Sequence, residues 1–103
     1  MFASMHGRTA IVTGASRGIG RGIAARFAAA GMQVLVVARR LEDAQRTAQE
    51  IGGTASGFAA DITDPKATRA MAAEALARYG AIDVLCANAG IFPRARIDEM
   101  TAD

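Results

Sequence analysis

Apolar residues recur along this chain with two alternating periods. Residues 9–13 (TAIVT) form a short β-branched run that breaks into glycines, the pattern of a buried strand ending in a tight turn. Ile19, Ile23, Phe27 and Ala30 follow at helical spacing and predict one apolar helix face, with Gly31 as its stop. Residues 34–38 (VLVVA) predict a second strand, and Leu41, Ala44, Ala48 and Ile51 a second helical stripe closed by Gly52-Gly53. A weaker strand is expected at 55–59. Asp64-Pro65 reads as an N-cap followed by proline at the first helical position. The third helix should then bury Ala72, Ala75, Leu76 and Tyr79 and end at Gly80, with a fourth strand at 82–87. Strands that are apolar throughout and alternate with helices predict βαβ units, hence a parallel sheet covered on both faces.

The expected architecture is therefore α/β, a doubly wound parallel sheet in the order β-α-β-α-β-α-β, truncated after the fourth strand. At the far end Thr101 reads as an N-cap and Asp103 as the first turn of a further helix, so the chain stops where that helix should begin. The fourth strand is left with a bare edge, which an open parallel sheet normally pairs. The sequence reads as residues 1–103 of one domain, the front part of something longer.

Composition narrows the class. A chain of 103 residues holds one small domain, and 51% apolar with 21% charged residues is globular composition. Cys86 stands alone, so no intramolecular disulfide is available and a reducing, cytoplasmic setting is expected. The longest apolar run is five residues, far short of the roughly 20 that span a bilayer, and the start lacks the apolar core of a secretory signal. The net charge of +2 comes from scattered residues, and aromatics are only 5%. A nucleic-acid surface needs a continuous basic stripe with interleaved aromatics. Neither nucleic acid nor membrane is an expected partner.

The first strand runs directly into Gly14-Ala15-Ser16-Arg17-Gly18-Ile19-Gly20, which opens the first helix. A dinucleotide pyrophosphate must approach backbone N–H groups at a helix N-terminus, and a Cβ at the approach points would block it. Gly14 suits the tight turn, Gly18 the close approach and Gly20 the packing of helix on strand. The spacing is G-x-x-x-G-x-G. A G-x-G-x-x-A match at Gly20, Gly22 and Ala25 lies inside the helix and is discounted, and no Lys-Ser or Lys-Thr follows to make a P-loop. Nucleotide binding is the expectation for this Rossmann-type unit; the bland alternative is a tight turn and nothing more.

The residue ending the second strand of such a unit meets the adenosine ribose. A carboxylate there bonds the 2′-hydroxyl of NAD, whereas an arginine pairs with the 2′-phosphate of NADP. Here the strand ends in Val37-Ala38-Arg39-Arg40, with no carboxylate before Glu42. Arg39 can form a charge-assisted pair with the phosphate, and Arg40 and Arg17 add positive charge. NADP(H) is thus expected over NAD(H); the alternative is a solvated arginine pair beginning a surface helix.

TGASRGIG at 13–20, ADIT at 60–63 and IDVLCANAG at 82–90 resemble, in order and spacing, the short-chain dehydrogenase/reductase family. Within it the chain looks most like the bacterial 3-oxoacyl-acyl-carrier-protein reductases of fatty acid biosynthesis. The resemblance implies that Ser16, Arg17 and Ile19 belong to the cofactor loop and that Asp61 hydrogen-bonds the adenine amino group. It further implies that Ile62 packs beside the ring and that Asn88, Ala89 and Gly90 support the sheet centre and line the cofactor ribose. Taken alone, Asp61 would read as a turn residue and Asn88 as a loop residue bonding backbone. The family's usual Asn-Asn-Ala-Gly is here Ala87-Asn88-Ala89-Gly90, one amide fewer.

The resemblance also implies carbonyl reduction or alcohol oxidation on a small molecule by a homo-oligomer, using a tyrosine, a lysine four residues later and a serine. The chain's tyrosine, Tyr79, is followed at that spacing by Asp83, and its lysine, Lys66, lies a helix earlier. The expectation is a cofactor-binding half without catalytic residues, inactive alone; the alternative is a stand-alone, non-catalytic dinucleotide-binding module. No metal site is expected.

Overall fold

The computed structural model describes residues 6–15, 18–87 and 90–93. In chain order the elements are β1 (Thr9–Thr13), α1 (Gly18–Ala29), β2 (Gln33–Ala38), α2 (Leu41–Ile51), β3 (Ser56–Ala59), α3 (Pro65–Tyr79), β4 (Val84–Ala87) and β5 (Gly90–Pro93). They build one sheet in the order β3-β2-β1-β4-β5. The first four strands are parallel, with Ile11 opposite Leu35 on one side and Leu85 on the other. Strand order reverses between β1 and β4, because the chain leaves β3 through α3 and returns on the far side of β1.

Alternate strand residues feed two cores. Ile11, Leu35, Val37 and Leu85 pack against Met71, Ala72 and Ala75 of α3. Ala10, Val12, Val34, Val36 and Cys86 pack with Ala24 of α1 and Ala48 of α2, and half-buried Ile23, Phe27 and Ile51 close that face. Two-sided burial is what the unbroken apolar strands anticipate. Cys86 is buried, which pushes its thiol pKa up by desolvation. The caps also follow the sequence. The Asp64 carboxylate accepts from the Lys66 N–H at 2.9 Å, and the Gly80 N–H donates to the Leu76 carbonyl at 2.8 Å.

Two expectations are corrected. The fourth strand does not end the sheet: β5 pairs antiparallel with β4, Ala87 opposite Gly90 and Val84 opposite Pro93. An antiparallel neighbour needs only a short connection, whereas a parallel one needs a crossover, so residues adjoining β4 in the chain can cover its edge. Three residues of the expected helical stripes are also left uncovered, although Ala44, Ala48, Ala72 and Ala75 are buried as expected. Ile19, Leu41 and Leu76 are 83%, 47% and 50% exposed, while Met71 is buried. Ile19 and Leu41 sit in the first turns of α1 and α2, ahead of the residues each helix buries.

Gly57 lets α2 lie directly on β3. A Cβ there would sit 2.8 Å from the Ala44 carbonyl carbon and from the Gln45 nitrogen, both backbone atoms. Gly57→Ala should therefore destabilise the fold by about 2 kcal/mol, as overpacking against a rigid neighbour does. Denaturant titration measures this, and a variant as stable as the parent would show that α2 can lift off β3.

Candidate functional site

The C-terminal ends of β1, β2 and β3 open onto a cleft of about 670 Å³. It lies beside the reversal of strand order, where open α/β sheets place their ligands. One wall is the turn after β1, where Gly14 adopts φ 64°. Ile19 and Gly20 of α1 continue that wall. A Cβ on Gly20 would lie 2.5 Å from the Gly14 carbonyl oxygen, so its hydrogen lets the helix start sit against the turn. Gly18 opens α1 at φ 62°, and a Cβ there would project into open space. The opposite wall comes from the ends of β2 and β3 and includes Arg39, Arg40, Asp61 and Ile62. The structure thus brings Gly14, Ile19, Gly20, Arg39, Arg40, Asp61 and Ile62 together. Gly90 opens β5 opposite Ala87. Ser16, Arg17, Asn88, Ala89, Thr101 and Asp103 lie outside the described residues.

Two polar residues on the cleft, Asp43 and Thr63, were not singled out from the sequence. Asp43 sits in the first turn of α2 and is held by Arg46 at 2.8 Å. Thr63 donates to Oδ1 of Asp61 from both its backbone N–H (3.0 Å) and its hydroxyl (2.6 Å). The Asp-x-Thr spacing within ADIT was the available signal, since Asp side chains bond backbone two residues on.

Charge on this wall is unevenly committed. Arg40 is tied to Glu42 at 2.6 Å, whereas Arg39, 77% exposed, reaches Asp61 only at 4.0 Å. An exposed pair at that distance contributes little, so Arg39 keeps its charge available to the cleft. The Thr63 hydroxyl and then the Thr63 N–H hold the Asp61 carboxyl below the usual carboxylate range, with a smaller contribution from Arg39. Asp61 is therefore an ionised acceptor at neutral pH.

Tyr79 lies at the other end of the sheet. Its hydroxyl is 2.5 Å from Ser56 Oγ and donates toward the carbonyls of Val34 and Thr54, near the starts of β2 and β3. Asp83 accepts from the Thr9 N–H at 2.9 Å at the start of β1. No helix among the described residues is long and apolar enough to cross a membrane.

A glycine-walled cleft at a switch point, faced by exposed arginine and an ionised carboxylate, defines the doubly wound, dinucleotide-binding class of α/β domain. The family model for short chain dehydrogenases matches residues 8–103, and the chain belongs to that family. It is 41% identical to a sorbitol dehydrogenase of Cereibacter sphaeroides, over 96% of this chain and 39% of that protein. It is 39% identical to the 3-oxoacyl-[acyl-carrier-protein] reductase of Escherichia coli, over 85% of this chain and 36% of that protein. Among solved structures it resembles the 3-ketoacyl-(acyl-carrier-protein) reductase from Brucella melitensis complexed with NADH, with a TM-score of 0.75 and 41% identity. That likeness covers 79% of this chain and 33% of the other. The chain therefore spans between a third and two fifths of the length of these relatives.

Proposed function

We propose that this chain is the cofactor-binding half of an NADP(H)-dependent oxidoreductase that interconverts a carbonyl and an alcohol on a small molecule. The observation that carries the cofactor choice is Arg39, the first residue after β2, exposed on the cleft and engaged among the described residues only by a 4.0 Å ion pair. The residues present fit a dinucleotide. A Cβ at Gly18 would meet nothing within 4 Å, which leaves room at the start of α1 for a pyrophosphate to approach backbone N–H groups. Asp61 offers an acceptor to the adenine amino group, Ile62 an apolar surface 40% exposed beside it, and Arg39 a partner for the 2′-phosphate. Ser16 and Arg17 complete the glycine loop, Arg40 adds charge, and Asn88, Ala89 and Gly90 serve the ribose side. When bound, the nicotinamide gives or takes the hydride.

The acid–base step belongs elsewhere in the protein. Tyr79 is bonded among strand starts, and Lys66 precedes it by thirteen residues where the family's lysine follows its tyrosine by four, so the tyrosine–lysine pair is not assigned to them. The 36–39% span of the curated relatives supports a parent with further residues, and the likeness to acyl-carrier-protein reductases supports a reductase of fatty acid synthesis; a cytoplasmic, homo-oligomeric parent is part of the same proposal.

Titration of the protein with NADPH and NADH, followed by nicotinamide fluorescence, tests this reading. NADPH should bind roughly 10-fold or more tightly than NADH, one charge-assisted contact being sufficient for that. Equal affinities would overturn the NADP(H) assignment, and no binding of either would overturn the dinucleotide site.

A further inference from the structure

We infer that Thr63 is the positioning residue that sets how the cleft reads a purine ring, by fixing the side chain of Asp61. This rests on the proposed contact between Asp61 and the adenine amino group. The backbone of the turn is already pinned. The Ala60 N–H donates to the Ala38 carbonyl at 2.9 Å, and the Asp64 N–H to the Asp61 carbonyl at 3.0 Å. Thr68, in the first turn of α3, places its hydroxyl 3.3 Å from the Ile62 carbonyl and 3.2 Å from that of Asp64. What remains free is rotation of the Asp61 carboxylate, which is half exposed and, among the described residues, otherwise steered only by Arg39 at 4.0 Å.

Thr63 removes that freedom. Its N–H and hydroxyl both donate to the same oxygen, Oδ1, at 3.0 and 2.6 Å, and Arg39 approaches that oxygen too. No hydrogen bond among the described residues reaches Oδ2. One carboxylate oxygen is thus saturated by the protein while its twin is left as an acceptor with a set direction. A purine carrying an exocyclic amino group can donate to Oδ2; a purine carrying a carbonyl at that position instead sets oxygen against oxygen. Because the carboxylate is oriented before binding, this discrimination does not have to be met by ordering the side chain afterwards.

The experiment compares NADPH with its deaminated analogue, nicotinamide hypoxanthine dinucleotide phosphate, on the parent protein and on Thr63→Val and Thr63→Ser. Valine keeps the β-branched shape and the backbone N–H but loses the hydroxyl; serine keeps both donors. The parent should favour NADPH by about 10- to 150-fold, the range of one hydrogen bond to a charged group. Thr63→Val should lower that ratio by about 3- to 10-fold through restored side-chain freedom, and Thr63→Ser should restore it. A general distortion of the turn would weaken both cofactors together and leave the ratio unchanged. A discriminating parent with an unchanged ratio in Thr63→Val overturns the role of Thr63 alone. A parent that binds both cofactors equally overturns the Asp61–adenine contact and this inference with it.

Discussion

Gly20→Ala is expected to lower the thermal midpoint of the chain by roughly 12–24 °C, from a loss of about 3 kcal/mol at about 4–8 °C per kcal/mol in a domain of this size. The new methyl would meet the Gly14 carbonyl oxygen at 2.5 Å, the Gly14 carbonyl carbon at 3.0 Å and the Ala15 Cα at 3.2 Å. All three are backbone atoms, so no side chain can swing away and α1 must retreat from the β1 turn. That retreat separates two residues of one cleft wall, and dinucleotide affinity should fall alongside stability. Gly22 provides the control within the same helix. A Cβ there meets nothing within 4 Å, so Gly22→Ala should be neutral or stabilising by up to about 1 kcal/mol through helix propensity. Thermal melts followed by circular dichroism read both variants. A Gly20→Ala midpoint close to that of the parent would mean that the helix start is not held against the turn.

Arg39→Ala should weaken NADPH binding by about 10- to 150-fold and leave NADH binding nearly unchanged. The two cofactors differ by the 2′-phosphate, and among the described residues Arg39 is the guanidinium on that wall without a close carboxylate. Arg40, tied to Glu42 at 2.6 Å, would have to leave its partner to contribute, so Arg40→Ala should change the preference less. Raising the ionic strength should erode the parent's preference and have little effect on that of Arg39→Ala, because salt screens exposed charges. Parallel titrations of the two variants with both cofactors decide the matter. An equal loss for NADPH and NADH would make Arg39 a general support of the cleft with no part in reading the phosphate.

Much of the fold is legible from local chemistry. TAIVT and VLVVA can only be strands buried on both faces, and Asp64-Pro65 and Gly80 bracket α3 as N-cap and C-cap residues do. The glycine spacing marks the β1–α1 turn because few other residues tolerate its backbone. Ile19 shows the limit of periodicity. Its spacing to Ile23 and Phe27 assigns it to the core-facing stripe, yet it stands 83% exposed, since the first turn of α1 lies on the cleft. Leu76 and Met71 exchange roles for a related reason: both are apolar, and the position of α3 over β1 and β2 selects which is covered.

Thr63 and Asp43 reach the cleft from elements far apart in sequence, and no local pattern links either to Gly14. The covering of β4 by β5 likewise depends on pairing between strands, not on any property of residues 90–93 alone. Residue type and spacing therefore specify which segments become strands, helices and turns, because those preferences act over a few bonds. The walls of the cleft and the exposed flank of each helix arise from packing, because they depend on which surfaces the folded sheet brings within contact distance, whereas the carboxylate of Asp61 is turned by Thr63 two residues on.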